Sequence, residues 1–408
     1  MRVSIFSKVT KVALFLACVG SIWEIAALPA RAYLDEPEID NETQKVGSAT
    51  SVWSCGFVDK EGKPVIEAKY DGCKRFSEGL APVCLKGKWG FVDTSGVLKI
   101  PMQFDDANPF SDGLAAVQMR NKWGFIDRSG KSVIAPKFFS VKKFSESAAF
   151  VELVENKWAC IDKTGKTLFD LDANVSSVDD FKEGLALVHR SSTAEFRNKK
   201  GEKVFAEFER HSLPFSEKLA CVSVSPNGWN YSYGFIDSAG KVVVEPKYAR
   251  AGSFSEGLAC VCVHEGEQEM LPKYPLGKWG YISQTGTVAI APAFEDAGNF
   301  HDGMALILVG EQGLCGYINA KGETVIPAKY IRGFDFSDGL ALVREDTTWK
   351  YLDKAGKVVI TSDGYLCGNF HDGRAMVAKL KDSSVLKNAG AENYKFPMPI
   401  HHQYDEND

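Results

Sequence analysis

The chain has 408 residues, of which 45% are hydrophobic, 12% aromatic and 25% charged, with 37 Gly and 16 Pro. This mixture is apolar enough to bury a sizeable core, and it excludes intrinsic disorder and collagen-like repeats. The net charge is −5, and no basic run is longer than two residues. We therefore expect no nucleic-acid partner, because neutralising phosphates requires a face rich in Lys and Arg.

The first 32 residues have the form of an export signal. A basic start precedes an apolar run from Val12 to Trp23, and Ala30-Arg31-Ala32 is an A-x-A processing site. We predict cleavage after Ala32 and an exported protein, either periplasmic or at the cell surface. Lipid modification at Cys18 is the alternative. The apolar run of about 12 residues is too short for a membrane span, which takes roughly 20, so the mature chain is expected to have none.

The mature chain is predicted to have three parts. Residues 33–50 contain five acids and one Lys and are typical of a solvated linker. Residues 51–380 contain nine repeats, and residues 381–408 form a polar C-terminal tail.

Two anchors recur nine times along the repeat region. The first is a short strand that ends in a turn with Gly three residues after an Asp, Asn or Ser, as in Gly56-Phe-Val-Asp-Lys-Glu-Gly62. The second follows it, as in Phe76-Ser-Glu-Gly-Leu-Ala81, and has an acid in every copy. The Gly position suits a type I turn closed by a left-handed residue, and the Asp side chain can accept the turn's N–H groups.

Each repeat is predicted to be a three-stranded antiparallel unit, since apolar and polar residues alternate with a period of two and show no helical period. One unit should contain strands at Leu114 to Met119, Lys122 to Asp127 and Ser132 to Ala135. The fold class is therefore all-β. An open or superhelical array is favoured because nine units exceed the usual four to eight blades of a propeller. A closed ring is the alternative, since the two ends of the chain hold complementary parts of one unit.

These residues resemble the WG-repeat (KWG) family, whose signature is present as Lys88-Trp89-Gly90-Phe91, Lys122-Trp123-Gly124-Phe125 and Lys278-Trp279-Gly280-Tyr281. The chain departs from the pattern at Ala159-Cys160 and at Ala194-Glu195. The resemblance implies an exported bacterial β-repeat protein and brings no catalytic residues. We expect a non-catalytic binding module whose partner is cell-wall glycan, a surface polymer or another protein, because the repeat surface offers many equivalent weak contacts.

Five tryptophans share one register of the repeat: Trp89, Trp123, Trp158, Trp279 and Trp349. Packing between units explains such a series, because every repeat must bury a face against its neighbour. The alternative is a ladder of flat rings that stack on sugars, which makes these residues the candidate ligand-stacking site.

An enzyme is the competing interpretation. No H-E-x-x-H, G-x-S-x-G, phosphate-binding Gly-rich loop or C-x-x-C motif is present, so we predict no catalytic residue, metal or cofactor. The alternative is a catalytic site in the degenerate units around residues 185–235. Its candidate residues are His189, Arg190, Glu195, Arg197, Glu209 and His211.

Nine cysteines follow residue 32, an odd number. Their apolar strand positions, such as Cys84, Cys221 and Cys260, predict small buried hydrophobes rather than a disulfide framework. Cys73 and Cys367 share a register in the first and last units, so they would meet only in a closed ring.

Overall fold

The computed structural model describes residues 53–225, 231–264, 277–362 and 366–380. These residues form 36 strands in nine four-stranded antiparallel sheets, and they contain no helix. In chain order the strands of the first half are β1 (Trp53–Val58), β2 (Pro64–Tyr70), β3 (Gly72–Cys73), β4 (Leu80–Leu85), β5 (Lys88–Asp93), β6 (Leu98–Phe104), β7 (Asp106–Ala107), β8 (Leu114–Met119), β9 (Lys122–Asp127), β10 (Ser132–Phe138), β11 (Ser140–Val141), β12 (Ala148–Val154), β13 (Lys157–Asp162), β14 (Thr167–Asp170), β15 (Ser177–Val178), β16 (Leu185–His189), β17 (Thr193–Asn198) and β18 (Phe208–Glu209).

The strands of the second half are β19 (Phe215–Ser216), β20 (Leu219–Val224), β21 (Ser232–Asp237), β22 (Val242–Tyr248), β23 (Arg250–Ala251), β24 (Leu258–His264), β25 (Gly277–Ser283), β26 (Val288–Phe294), β27 (Asp296–His301), β28 (Met304–Val309), β29 (Leu314–Asn319), β30 (Thr324–Tyr330), β31 (Arg332–Gly333), β32 (Leu340–Glu345), β33 (Thr348–Asp353), β34 (Val358–Ser362), β35 (Leu366–His371) and β36 (Arg374–Leu380). Blade 1 contains β3 to β6, and each following blade takes the next four strands, up to β31 to β34 in blade 8.

The two ends of the chain share blade 9, whose strand order is β2-β1-β36-β35. Trp53 pairs with Leu380 and Val58 with Ala375, so the N-terminal strand lies antiparallel to the C-terminal one. The expectation of an open array is therefore wrong, and the nine blades form a closed ring, a β-propeller. The physical reason is that each chain end supplies half a blade, and pairing the halves satisfies backbone groups that an open array would leave exposed.

Each blade has four strands, so the prediction of three-stranded units is also wrong. The strand that was not predicted is the first of each blade, which is only two residues long in seven of the nine blades described. The other three strands agree with the prediction, as in blade 2 with Leu114–Met119, Lys122–Asp127 and Ser132–Phe138. A two-residue strand is too short to show period-two alternation.

The fourth strand of each blade lies at the outer edge of the ring. Its side chains include exposed apolar residues such as Val242, 43% exposed, and Val288, 56% exposed. It also carries prolines, which lack the N–H that a central strand would need, at Pro101, Pro136, Pro246, Pro292 and Pro327. The first strand is consequently the one nearest the axis.

The described core is divided among nine hydrophobic clusters, one at each contact between neighbouring blades. At every contact an aromatic ring packs on the Phe of the next blade's second anchor, with centroids 4.7–5.2 Å apart. In blade 3, Cys160 stands where other blades have the ring. Phe150 on the neighbouring strand supplies the ring instead and stacks on Phe181 at 5.2 Å.

The Gly of the Trp-Gly pair lies directly beneath the backbone of the outer strand. Trp89 pairs with Phe104 and Phe91 with Ile100, so the one residue of β5 between these pairs, Gly90, opposes three residues of β6 in a bulge. A Cβ on Gly90 would lie 2.5 Å from the Ile100 carbonyl oxygen. Blade 8 has Lys350 at the Gly position, and there the outer strand pairs residue by residue without this bulge. The glycine therefore marks the blades whose outer strand bulges.

The predicted turn chemistry is confirmed. In blade 2 the Asp127 carbonyl accepts the Gly130 N–H at 2.9 Å, and the Asp127 carboxylate accepts the N–H groups of Ser129 and Lys131. Gly130 has φ +85°, and all nine turn glycines have a positive φ. The turns therefore account for these acids structurally.

The cysteines only partly follow the prediction. Cys55 of β1 and Cys73 of β3 form a disulfide between blades 9 and 1, with Cα atoms 6.1 Å apart, so they are not simple buried hydrophobes. The side chain of Cys367 lies outside the described residues. The other described cysteines are buried: Cys84, Cys160, Cys221, Cys260, Cys262 and Cys315. Burial raises the pKa of Cys84 to about 11, which keeps that thiol protonated and unreactive at neutral pH.

Candidate functional site

One face of the ring is formed by the loops that join the first two strands of each blade. Because strands in a blade are antiparallel, the turns between its third and fourth strands lie on this same face, which we call the loop face. In blade 1 the loop is a two-residue hairpin in which Ser77 and Leu80 exchange backbone hydrogen bonds across Glu78 and Gly79. Both central residues have positive φ, 54° and 78°, as a type I′ turn requires.

The nine loop acids link the blades around the ring. Each carboxylate accepts a hydrogen bond from the backbone N–H that follows the acid in the next blade's loop; for example, Glu78 accepts from Gly113 at 3.1 Å. Asp372 accepts from Gly79 at 2.7 Å and completes the circle. The nine acids, which we call the acid belt, are Glu78, Asp112, Glu146, Glu183, Glu217, Glu256, Asp302, Asp338 and Asp372.

The belt explains why an acid recurs in every repeat. Each acid has φ between 51° and 56°, a left-handed conformation that costs a non-Gly residue free energy. The inter-blade hydrogen bond offsets this cost and closes the hairpin loops into a continuous rim. These hydrogen bonds give the loop acids a structural role.

A second set of side chains on the loop face belongs to the residue that follows the turn Asp or Asn in each blade. Lys163 of blade 3 reaches back to the Asp112 carboxylate of blade 2 at 2.6 Å. Lys199 of blade 4 reaches both the Glu146 carboxylate and the Glu146 carbonyl of blade 3, at 3.0 and 2.9 Å. Burial acts to raise the pKa of Asp112, but the Lys163 ammonium and the Ser147 N–H outweigh it, and the pKa lies below its usual value.

The residue at this position varies around the ring. It is Thr94 in blade 1, Arg128 in blade 2 and Ser238 in blade 5, and in blade 6 it is Gln284, whose amide donates to the Glu217 carboxylate at 3.2 Å. An open pocket of about 660 Å³ lies here. Its lining residues are Glu183, Glu217, Lys218, Gly257, Ser283, Gln284 and Thr285.

The degenerate blade 4 contains the candidate enzyme residues Arg190, Glu195 and Arg197, and the structure does bring these three together. Glu195 occupies the Gly position of the repeat, is 2% exposed, and accepts hydrogen bonds from Arg190 at 2.9 Å and Arg197 at 2.6 Å. Burial acts to raise the pKa of Glu195, but the two guanidinium groups outweigh it and hold the pKa below its ordinary value. A general acid needs a raised pKa, so this network has the chemistry of a structural ion cluster.

The other three candidates have local partners of their own. His189 Nε2 lies 2.9 Å from the Asp179 carboxylate, and the His211 ring packs edge-on against Tyr231. The Glu209 backbone carbonyl accepts from Ser212. The 660 Å³ pocket is lined by different residues.

The five tryptophans lie at the contacts between blades. Trp89, Trp158 and Trp279 are buried members of inter-blade clusters, with 7–8% exposure. Trp123 and Trp349 are partly exposed and pack against two further clusters. This placement fits packing between units. The stacking ladder stays a prediction, and these two rings are the ones that keep exposed surface.

Asp180, near the axis in blade 4, should make the stability of the fold depend on pH. Its Oδ1 is buried without a hydrogen bond, and its Oδ2 lies 3.5 Å from Lys143 Nζ. Burial raises the pKa of Asp180, more than the lysines lower it. Because its pKa is raised, folding favours the protonated form of Asp180. The contribution of Asp180 to the stability of the fold is therefore fully present at a pH below its pKa in the unfolded chain. It is lost as the pH rises through its pKa in the folded protein.

Asp180→Asn should therefore raise the free energy of unfolding at pH 7 by about 1 kcal/mol, because it removes a poorly solvated charge. Urea unfolding at pH 7 and pH 3 checks this. The gain should vanish at pH 3, where the acid is protonated in both states. A loss of stability at pH 7 would contradict the assignment, and Asp179→Asn, which removes the partner of His189, serves as control.

Within the described ranges no helix is long and apolar enough to cross a membrane. In the same residues, no three His, Cys, Asp or Glu side chains come together as a metal site. His401 and His402 of the C-terminal tail fall outside them.

Several solved structures are similar to this chain. A solved structure described as a eukaryotic initiation factor matches with a TM-score of 0.50 and 14% identity, covering 69% of this chain and 83% of its own, which shows the fold alone. The BamB structure from Moraxella catarrhalis matches with a TM-score of 0.39 and 12% identity, covering 77% of this chain and 98% of its own. No curated protein sequence matches this chain.

The model of the WG containing repeat matches six segments, residues 56–89, 89–123, 123–158, 233–265, 279–312 and 316–349. Each match includes the glycine at the Trp-Gly position of one of the six blades in which the outer strand bulges. No match includes this position in blades 3, 4 and 8, which lack the glycine. Together the matches cover half of the chain, and the resemblance seen in the sequence is confirmed: the chain belongs to the WG-containing repeat family.

Proposed function

We propose that the protein is an exported, non-catalytic binding module that holds a cell-wall or surface polymer, or a protein partner, on its loop face. The observation that carries this proposal is the acid belt. Nine carboxylates stand in equivalent places and each is occupied by a backbone N–H of the next blade, whereas catalysis by a carboxylate pair needs two unlike environments. A rim of equivalent polar loops suits many weak contacts that add by avidity.

Sedimentation of the purified protein with insoluble cell-wall glycan tests the proposal. The triple variant Glu183→Gln, Glu217→Gln, Glu256→Gln keeps an oxygen for each belt hydrogen bond and should lower retention at least tenfold. The matched control on the opposite face is Lys86→Ala, Arg120→Ala, Lys157→Ala. Lys86 and Arg120 lie at the tips of the hairpins that join the second and third strands, and Lys157 lies directly after such a tip. Retention should be unchanged in this control.

Two outcomes would overturn the proposal. Equal loss in both triple variants would show that the loop face is not the binding surface. Soluble glycan fragments appearing with time would instead favour the enzyme alternative, and substitution of Glu195 should then abolish their release.

A further inference from the structure

One residue on the face opposite the loop face departs from the pattern of the repeat. The fourth strand of a blade starts at the loop face and ends on the opposite face, where a joining residue leads into the next blade. In two places this residue is an acid that pairs with the lysine of the Lys-Trp-Gly signature, Asp105 with Lys88 and Glu295 with Lys278. Between blades 2 and 3 the joining residue is Phe139, which is 51% exposed.

Phe139 lies at the centre of an exposed apolar group. Its N–H donates to the Glu152 carbonyl at 2.7 Å, which places it beside the end of β12, where Val154 is 59% exposed. The Lys122 ammonium lies 5.8 Å from the centroid of the Phe139 ring, and Lys122 pairs with Met119, which is 41% exposed. Large apolar side chains that are exposed together mark an interaction surface.

Cations surround this apolar group. Arg120, Lys122 and Lys157 belong to the hairpins of blades 2 and 3, and all three residues are exposed. Within the described part of the chain none of them forms an ion pair. The apolar and cationic residues together form a surface that we call the hairpin patch: Met119, Arg120, Lys122, Phe139, Val154 and Lys157.

The acids near the hairpin patch leave most of its positive charge uncompensated. Asp105 pairs with Lys88, and the buried Glu152 accepts the Asn156 N–H at 2.7 Å. Glu155 is the exposed acid of the blade 3 hairpin. The patch therefore favours an occupant that is acidic and carries apolar side chains.

We propose that the hairpin patch binds the acidic segment 33–50 of the same chain. This segment has five acids and one lysine, with Leu34 and Ile39 among the acids. Its carboxylates would face the cations of the patch, and its apolar side chains would cover Phe139 and Val154. The proposal goes beyond the proposed function, because it concerns the opposite face and a contact within one chain.

The acidic segment joins the ring on the same face as the patch. β1 starts at Trp53, which pairs with Leu380 at the end of β36, so the chain enters blade 9 on the opposite face. Blade 3 is three blades further on, a path of roughly 30 Å when neighbouring sheets lie about 10 Å apart. The 13 residues from Asp40 to Trp53 can span about 40 Å when extended, so the acids reach the patch.

The covalent connection favours this segment over a separate partner. Exposed ion pairs are individually weak, so a free acidic peptide would bind poorly. A short tether raises the effective concentration of the segment at the patch to the order of millimolar, at which several weak contacts together hold it.

Double electron–electron resonance on the whole chain tests the proposal, with spin labels on Asn41→Cys and Glu155→Cys. The label at Asn41 leaves all five acids of the segment in place. The distance distribution should be a single narrow peak. The matched pair is Asn41→Cys with Glu311→Cys, at the blade 7 hairpin on the same face, and its distance should be longer. A segment that does not bind would on average lie closer to blade 7, which is only two blades from blade 9.

Phe139→Asp restores the kind of residue that Asp105 represents and gives Lys122 a carboxylate. It should lower the docked fraction at least fivefold without lowering the melting temperature, because Phe139 is exposed. Ile331→Asp is the matched control, since Ile331 is the equivalent joining residue between blades 7 and 8 and is 46% exposed. It should leave the peak unchanged. In 1 M NaCl, which shortens the screening length to about 3 Å, the docked fraction of the parent chain should fall.

A broad distribution in the parent chain would overturn the proposal, as would a narrow peak that persists in Phe139→Asp. Dilution with an excess of unlabelled protein separates a contact within one chain from a contact between two. A peak that survives dilution supports the proposal. Loss of the peak would show that the segment of a second copy occupies the patch and would contradict it.

Discussion

Gly124→Ala is expected to lower the free energy of unfolding by about 3 kcal/mol, although it adds a single methyl group. The added Cβ would lie 2.4 Å from the Ile134 carbonyl oxygen and 2.6 Å from the Pro136 nitrogen, so backbone of the outer strand has to move. Backbone in a bulge cannot move aside as a flexible side chain would. Urea unfolding followed by fluorescence measures the change.

Blade 3 provides the matched control, because it already has Ala159 at the same position. There the outer strand pairs one to one, Ala159 with Asp170 and Cys160 with Phe169. Ala159→Gly should therefore relieve no steric clash. It should lower the free energy of unfolding by about 0.5–1 kcal/mol, because Gly in a strand is less favourable than Ala. If Gly124→Ala were as stable as the parent protein, our explanation of the Trp-Gly signature by the bulge would be wrong.

Trp89→Ala is expected to lower the free energy of unfolding by about 3–5 kcal/mol, because it leaves a cavity in a large part of the hydrophobic cluster between blades 1 and 2. The ring is 8% exposed and lies among buried residues of both blades, including Phe104 and Phe110. Thermal unfolding gives the change in stability, and glycan sedimentation of the same variant gives the change in binding. Trp349→Ala should cost less, since that ring is partly exposed.

The two measurements on Trp89→Ala separate packing from stacking. A large loss of stability is the expected result. An unchanged melting temperature together with lost glycan retention would show that the tryptophans form a ligand ladder and would contradict the packing assignment.

Much of the fold could be predicted from local pattern. The nine repeats, the strands at Leu114–Met119 and Lys122–Asp127, and the Asp127-to-Gly130 turn all follow from contacts within a few residues. The first strand of each blade could not, because Gly72–Cys73 and its equivalents are too short to show a period. Ring closure was predicted only as the alternative, since the pairing of Val58 with Ala375 joins residues at opposite ends of the chain.

The candidate site could be predicted only as a recurring acid. The partners of these acids depend on how neighbouring blades stack, and the sequence of one repeat does not contain this information. Asp372 binds the Gly79 N–H, and Glu78 binds the Gly113 N–H. The same holds for the contact between Lys163 and Asp112, which belong to the turn and the loop of two neighbouring blades and are 51 residues apart in the chain.

The closed ring is the claim on which the acid belt and the pocket depend, and a distance between blades 8 and 9 tests it most directly. Spin labels on Glu61→Cys and Ala355→Cys mark equivalent turn positions of these two blades, 294 residues apart in the chain. Labels on Ser95→Cys and Ser129→Cys mark the same positions in blades 1 and 2, which are neighbours in any arrangement. Double electron–electron resonance should give matching distance distributions for the two pairs, with the chain lacking added cysteines as labelling control. A distance for the first pair that is longer than the second by tens of ångströms would show an open array and contradict the account.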